Sequence, residues 1–189
     1  MARLIERHGL NELKPRRVST FQSLTQSIIY QQLSGKAAGT ILGRFTALYP
    51  GKRFPSVADV LATKPQQLRE VGLSRAKSSY IFDLARRVKD RTVPGLKSSE
   101  RLTDEELIIR LTEVKGVGRW TAEMLLIFNL GREDVLPVDD LGVRRGFQLA
   151  HGLNDLPVTA ELAKYGRQWK PYRSYATVYF WLEADSSEK

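Results

Sequence analysis

Residues 114–125 read VKGVGRWTAEML. Two glycines stand between two runs of helical periodicity, TDEELIIRLTEV before and TAEMLLIFNL after, so the chain must make a helix, a tight turn and a second helix here. Glycine serves where the backbone takes a positive φ or must come close to something. A helix that begins directly after such a turn presents unpaired N–H groups and the positive end of its dipole, where an anion fits. The same unit with no ligand is an ordinary αα-hairpin connection.

The rest of the chain repeats the helical period and shows no alternation of two. Phe21, Leu24, Ile28 and Ile29 share a face behind Ser19 or Thr20 as cap, and Ala37, Ala38, Ile41, Leu42, Phe45 and Leu48 form a second stripe after Ser34-Gly35. Ser56, Pro65 and Ser74 are start signals for SVADVLAT, PQQLREV and SRAKSSYIFDLARRVKD. Thr103 with Glu106 is a capping-box signature. TVPGLKSSER and GREDVLPVD read as loops, and DLGVRRGFQLA and two further helices ending in SYATVYFWLEA complete the chain. The expectation is an all-α protein of nine or ten helices, one domain over residues 1–189, with a helix-hairpin-helix at about 103–130 and no long linker.

Charge and residue types narrow the chemistry. Thirty Lys+Arg against 21 Asp+Glu give a net charge of +9, which favours a polyanionic partner such as nucleic acid. The absence of cysteine excludes a disulfide, a thiolate zinc site and a cysteine-ligated iron-sulfur cluster. With only His8 and His151, a histidine metal site or a Ser-His-Asp triad is disfavoured. MARLIERHGL has no apolar core of signal-peptide length, and no run approaches the ~18 apolar residues of a membrane span. The expected setting is intracellular, without a membrane: the cytoplasm or nucleoid in a bacterium or archaeon, the nucleus in a eukaryote.

Val114-Lys115-Gly116-Val117-Gly118 with Thr121-Ala122 resembles the DNA-binding helix-hairpin-helix. Further on, DVLPVDDLGVRRG resembles the segment in which the helix-hairpin-helix/Gly-Pro-Asp superfamily of DNA glycosylases carries its essential Asp. KPYRSYATVYFW is similar to the last helices of the 3-methyladenine DNA glycosylase II group, and SIIYQQLSGKAA to the segment with which that group enters the minor groove. The chain lacks the prototype's N-terminal β-rich lobe, so it resembles the compact members, for which two helical lobes with an active-site cleft between them are implied.

Breaking an N-glycosidic bond develops positive charge on the sugar, so a carboxylate nearby lowers the barrier and can orient or deprotonate water. Asp139 and Asp140 compete for this role. In the family an apolar residue follows the Asp by three places and basic ones come next; from Asp140 these are Val143, Arg144 and Arg145. A spacing of two after the proline, counted from Pro137, selects Asp139 instead. Asp140 is the first choice and Asp139 the second.

Bifunctional members carry a nucleophilic lysine two residues after the second hairpin glycine; Trp120 stands there, so the resemblance implies a monofunctional enzyme that leaves an abasic site. A damaged base must be extruded to be reached, and an electron-rich aromatic wall suits cationic bases such as 3-methyladenine and 7-methylguanine. Trp120 and, by resemblance, Trp181 are such walls. Met124 stands where the prototype has a tyrosine, which implies a pocket of different shape. By the same resemblance Gln32 fills the gap left in the duplex, with Leu33 and Ser34 its minor-groove neighbours. Gly116, Val117 and Gly118 offer N–H groups to a phosphate, with a structural Na⁺ or K⁺ as an accessory, and Arg119 contacts the backbone. The expected partner is double-stranded DNA containing alkylated bases, met by a monomer without a cofactor or a catalytic metal. A non-catalytic DNA-binding module and a glycosylase for another lesion are the alternatives; the first needs no carboxylate at the head of a helix.

Overall fold

Serine and threonine set where five of the helices among the described residues begin. In the computed structural model, which describes residues 1–186, every regular element among the described residues is helical. In chain order they are α1 (Ala2–His8), α2 (Thr20–Tyr30), α3 (Gly35–Ala47), α4 (Val57–Ala62), α5 (Pro65–Glu70), α6 (Arg75–Lys89), α7 (Leu96–Ser99), α8 (Asp104–Thr112), α9 (Arg119–Leu125), α10 (Leu141–His151), α11 (Thr159–Tyr165) and α12 (Arg173–Ser186). The side chains of Ser19, Ser34, Ser56, Ser74 and Thr103 each accept a hydrogen bond from the amide three residues on, at 3.1–3.3 Å. Each such cap is worth ~1 kcal/mol. Thr103 and Glu106 complete a reciprocal box, with Glu106 accepting from the Thr103 amide at 2.8 Å.

The twelve α-helices among the described residues exceed the nine or ten expected. The surplus is α1, whose three charged residues and one histidine in seven hide its period, and the single turn α7, inside a segment expected to be loop. TAEMLLIFNL also departs from a plain α-helix: α9 is followed by a π-helical turn, Leu126–Leu130. A 3₁₀ turn, Gly166–Trp169, follows α11. No helix of the described residues is long and apolar enough to cross a membrane.

The chain divides into two compact units: Arg17–Leu125, and Met1–Arg16 with the chain from Leu126 onward. In Arg17–Leu125, α2 is the central element and packs against α3, α6 and α9. Its Leu24, Ile28 and Ile29 are fully buried, as are Ile81, Leu84 and Ala85 of α6. At ~25 cal/mol per Å² of apolar surface, each large side chain so buried contributes ~1.5–3 kcal/mol. α8 packs on α9 across the glycine turn.

The other unit is organised by α10 on α12. Gly146 allows their approach: a Cβ there would stand 1.8 Å from the Phe180 carbonyl oxygen. Val143 and Phe147 of α10 and Ala176, Tyr179 and Phe180 of α12 share a core with Leu4 and Leu162. Glu183 accepts from Arg7 and pairs with His8 Nε2 at 2.8 Å, which fastens α1 to α12. The first turn of α12 grips the loop leading to α10. Arg173 is bidentate on Asp134 at 2.6 and 2.9 Å, and Ser174 Oγ accepts from the Val135 amide at 2.9 Å.

Candidate active site

Asp140 is the N-cap of α10, with β-region backbone and its Oδ1 accepting from the Val143 amide at 2.8 Å. The same Oδ1 accepts from Trp181 Nε1 at 2.9 Å. Two donors on one oxygen fix the plane of the carboxyl group, and the helix end complements its charge. Asp139, one residue earlier, is exposed and makes no hydrogen bond or ion pair with the described residues. The structure therefore gives the two adjacent carboxylates different surroundings: one held, one free in solvent.

Trp181 is itself held. Its ring stacks on Phe128 with centroids 5.7 Å apart and planes 23° from parallel. On its edge lies Gly142, where a Cβ would meet the indole Cδ1 at 2.9 Å and Asp140 Oδ1 at 3.2 Å. Glycine at the second position of α10 is what lets the indole reach the cap. Phe128 belongs to the π-helical turn and remains 41% exposed. A π turn inserts one extra residue into the helical phase and so re-aims the side chains on it. Phe128 is not legible in the sequence as a neighbour of Trp181, because TAEMLLIFNL is apolar enough to be a continuous helix.

In Arg17–Leu125 the glycine turn has Gly116 at φ 78, a left-handed conformation that glycine adopts without strain. The Val117 amide, expected to face a phosphate, donates instead to the Val114 carbonyl at 3.0 Å, closing the turn. The amides of Gly116 and Gly118 have no acceptor among the described residues. Arg119, also expected at the DNA backbone, donates to both oxygens of Glu105 at 3.0 and 2.8 Å and to Glu123 at 3.1 Å. The hydrogen bonds to Glu105 raise its pKa further above the ordinary arginine value.

Trp120 is 49% exposed and borders a hollow of about 660 Å³ that Met124 also lines. Tyr30, Tyr80, Lys77 and Gln32 are also among its lining residues, and of these four only Gln32 is a candidate from the sequence. Gln32 is exposed, with φ 56, left-handed for a non-glycine residue. Such backbone costs ~1–2 kcal/mol and persists only where neighbours impose it. Leu33 is 40% exposed beside it, and Ser34 is the cap of α3. Lys77 Nζ donates to the carbonyls of Ile29 and Gln31 at 2.8 and 2.6 Å, and burial pushes its pKa down from the usual lysine value.

This arrangement has relatives. Residues 25–171 match the HhH-GPD superfamily of base excision DNA repair proteins, and the chain belongs to that family. DNA-3-methyladenine glycosylase 1 of Schizosaccharomyces pombe is 37% identical over 161 residues, which cover 85% of this chain and 71% of that protein. The solved structure of a DNA-3-methyladenine glycosidase from Bacillus halodurans superposes with a TM-score of 0.90 at 35% identity, covering 99% of this chain and 85% of that one. The 3-methyladenine DNA glycosylase of S. pombe, in complex with abasic DNA, superposes with a TM-score of 0.81 at 35% identity, covering 95% and 88%.

Proposed function

We propose that the protein is a DNA-3-methyladenine glycosylase of base excision repair, a monofunctional enzyme that removes 3-methyladenine and 7-methylguanine by hydrolysis and leaves an abasic site. The observation that carries this is Asp140, a carboxylate held by two donors at the head of α10 in a chain of a base excision repair family. Relatives named for 3-methyladenine support the substrate class.

In this reading the alkylated base leaves the stack and is held at Trp120, whose exposed ring attracts a cationic purine by stacking and cation–π contact. Asp140 stabilises positive charge as it grows on C1′ and orients the attacking water. The carboxylate does not have to move to do this, because Val143 and Trp181 already fix its orientation. A methylated purine carries a formal positive charge and leaves readily, so modest electrostatic help suffices. Gln32 occupies the space the base vacates, and the free amides of Gly116 and Gly118 receive a phosphate.

No lyase step is part of this reading. Trp120 stands where a nucleophilic lysine is needed, and the amine beside it, Lys77, caps two carbonyls. A Na⁺ or K⁺ at the turn would hold the loop and take no part in cleavage, since a carboxylate and a water suffice for the glycosidic step. One flipped base needs one pocket, so the enzyme acts as a monomer wherever the genomic DNA lies.

The test is release of 3-methyladenine and 7-methylguanine from methylated duplex DNA by the wild type, Asp140→Asn and Asp139→Asn. Loss of ~100-fold or more is expected for Asp140→Asn, with Asp139→Asn near wild type. Selective loss in Asp139→Asn would move the carboxylate one residue. No release by the wild type, with DNA still bound, would overturn the glycosylase reading.

A further inference from the structure

The left-handed backbone at Gln32 needs something to hold it, and the structure supplies this from a distant helix. The last carbonyls of α2 have no partner within their own helix. Lys77, on the first turn of α6, takes two of them, those of Ile29 and Gln31. The next residue along the same row, Tyr80, packs against Gly116, where a Cβ would be 2.2 Å from the tyrosine ring. Asp83, three further on, accepts from the Lys115 amide at 3.0 Å and from Arg87 Nε at 3.2 Å. Arg87 in turn donates to Glu113 at 2.7 Å, at the end of α8. One direct link closes the circuit: Gln31 Nε2 donates to the Gly116 carbonyl at 2.8 Å.

Three consecutive positions of one helical row therefore touch the two loops that the proposed function assigns to DNA, loops 85 residues apart in sequence. We propose that Lys77, Tyr80 and Asp83 of α6 are positioning residues: they hold the turn carrying Gln32 and the glycine turn at one fixed spacing, so that gap filling and phosphate anchoring occur in a single register. This rests on the glycosylase reading for the roles of the two loops. The charge on Lys77 suits the negative end of α2. Because both carbonyls accept from one ammonium, loss of that group frees the turn and the backbone of Gln32 together. Tyr80 and Asp83 keep the opposite end of the spacing, and Gln31 ties the two ends directly.

The experiment uses full-length protein and a duplex with a tetrahydrofuran abasic site opposite 2-aminopurine, whose fluorescence reports insertion of a side chain into the gap. Affinity for undamaged duplex and base release from methylated DNA are measured beside it. For Lys77→Met, the fluorescence response at saturating protein and the single-turnover release rate should each fall ~10-fold or more. Affinity for undamaged duplex should stay within about threefold, because a purely structural loss would lower all three in proportion with stability. Lys77→Arg, which can still reach both carbonyls with a charged donor, should restore most of the response. Gln31→Leu, at the surface, should show a smaller loss of the same kind and serves if Lys77→Met fails to fold. Wild-type fluorescence in both Lys77→Met and Gln31→Leu, or parallel losses of response, affinity and melting temperature, would overturn the inference. Absence of base release by the wild type would sink the glycosylase reading alone, since the fluorescence response does not depend on cleavage.

Discussion

Trp181 is one of the groups that present Asp140, beside the Val143 amide. Trp181 touches the carboxylate with its indole N–H and Phe128 with its face, so the two contributions can be separated. Trp181→Phe keeps an aromatic ring against Phe128 but removes the donor. If the carboxylate acts in the transition state, this change should lower kcat ~10- to 100-fold and leave KM within a few fold, the pattern expected when ground-state binding is untouched. Single-turnover and steady-state kinetics on methylated DNA check it, and a rise in KM alone would make Trp181 a base-binding wall instead. Asp140 and Trp181 are marked as candidates by the sequence, with Asp139 open as the second choice. The hydrogen bond between Asp140 and Trp181 is not legible there, because 41 residues separate them and no local pattern records a contact at that range. Lys77, Tyr30 and Tyr80 were missed for another reason. On a helix, a lysine and a tyrosine three apart are what any amphipathic face contains.

At the scale of elements, the glycines of two helices make opposite demands. Gly146 of α10 meets the backbone of Phe180, so Gly146→Ala must part α10 from α12 and should cost ~2–3 kcal/mol or more. At Gly43 of α3, an added methyl group would meet nothing within 4 Å. Gly43→Ala should stabilise by ~0.5–1 kcal/mol through helix propensity. Thermal and urea unfolding of the pair decide this, and equal effects would mean that α10 and α12 do not pack backbone to backbone at Gly146. Helix positions were readable because five caps and the spacing of Leu24, Ile28, Ile81 and Leu84 are local signals. α1 and α7 were not: one is nearly all charge on its outer face and the other is a single turn inside a Pro-Gly segment. The π turn at Leu126–Leu130 is a third kind of miss. Its residues are ordinary helix formers, and the change of phase that turns Phe128 toward Trp181 is a tertiary effect.

Over the whole molecule, carboxylates and basic groups set how it responds to pH. Hydrogen bonds from Arg173 hold the Asp134 carboxyl below its ordinary value, against an opposing effect of burial. Burial raises Glu183, but hydrogen bonds from His8 and Arg7 outweigh it and the net shift is downward. A carboxyl depressed in the folded state contributes stability that is fully present above its unfolded pKa of ~4 and is lost as pH falls through the folded value. Asp134→Asn should therefore lower stability by ~1 kcal/mol at pH 7, a partly exposed pair being discounted for solvent. The difference should shrink steadily below about pH 4. Melting curves of both proteins from pH 7 to pH 2 test it; a gap that widens in acid would reverse the sign of the shift.

The net charge of +9 overstates the charge free to meet DNA. Arg17, Arg87, Arg119 and Arg173 each face a carboxylate at 2.6–3.0 Å. Lys115, next to the first hairpin glycine, is exposed and its ammonium has no carboxylate partner among the described residues. Each phosphate neutralised adds ~0.9 to the fall of log K with log salt. Lys115→Gln should therefore reduce that slope by ~0.9 on damaged and undamaged duplex alike. Arg119→Gln should change it little, because the guanidinium must leave Glu105 and Glu123 before a phosphate can use it. Binding isotherms from 50 to 200 mM salt, on the order of the range where such slopes are resolved, distinguish the two. If Arg119→Gln loses as much slope as Lys115→Gln, the pair with Glu105 opens on DNA and Arg119 returns to the phosphate role that its place after the glycines first suggested.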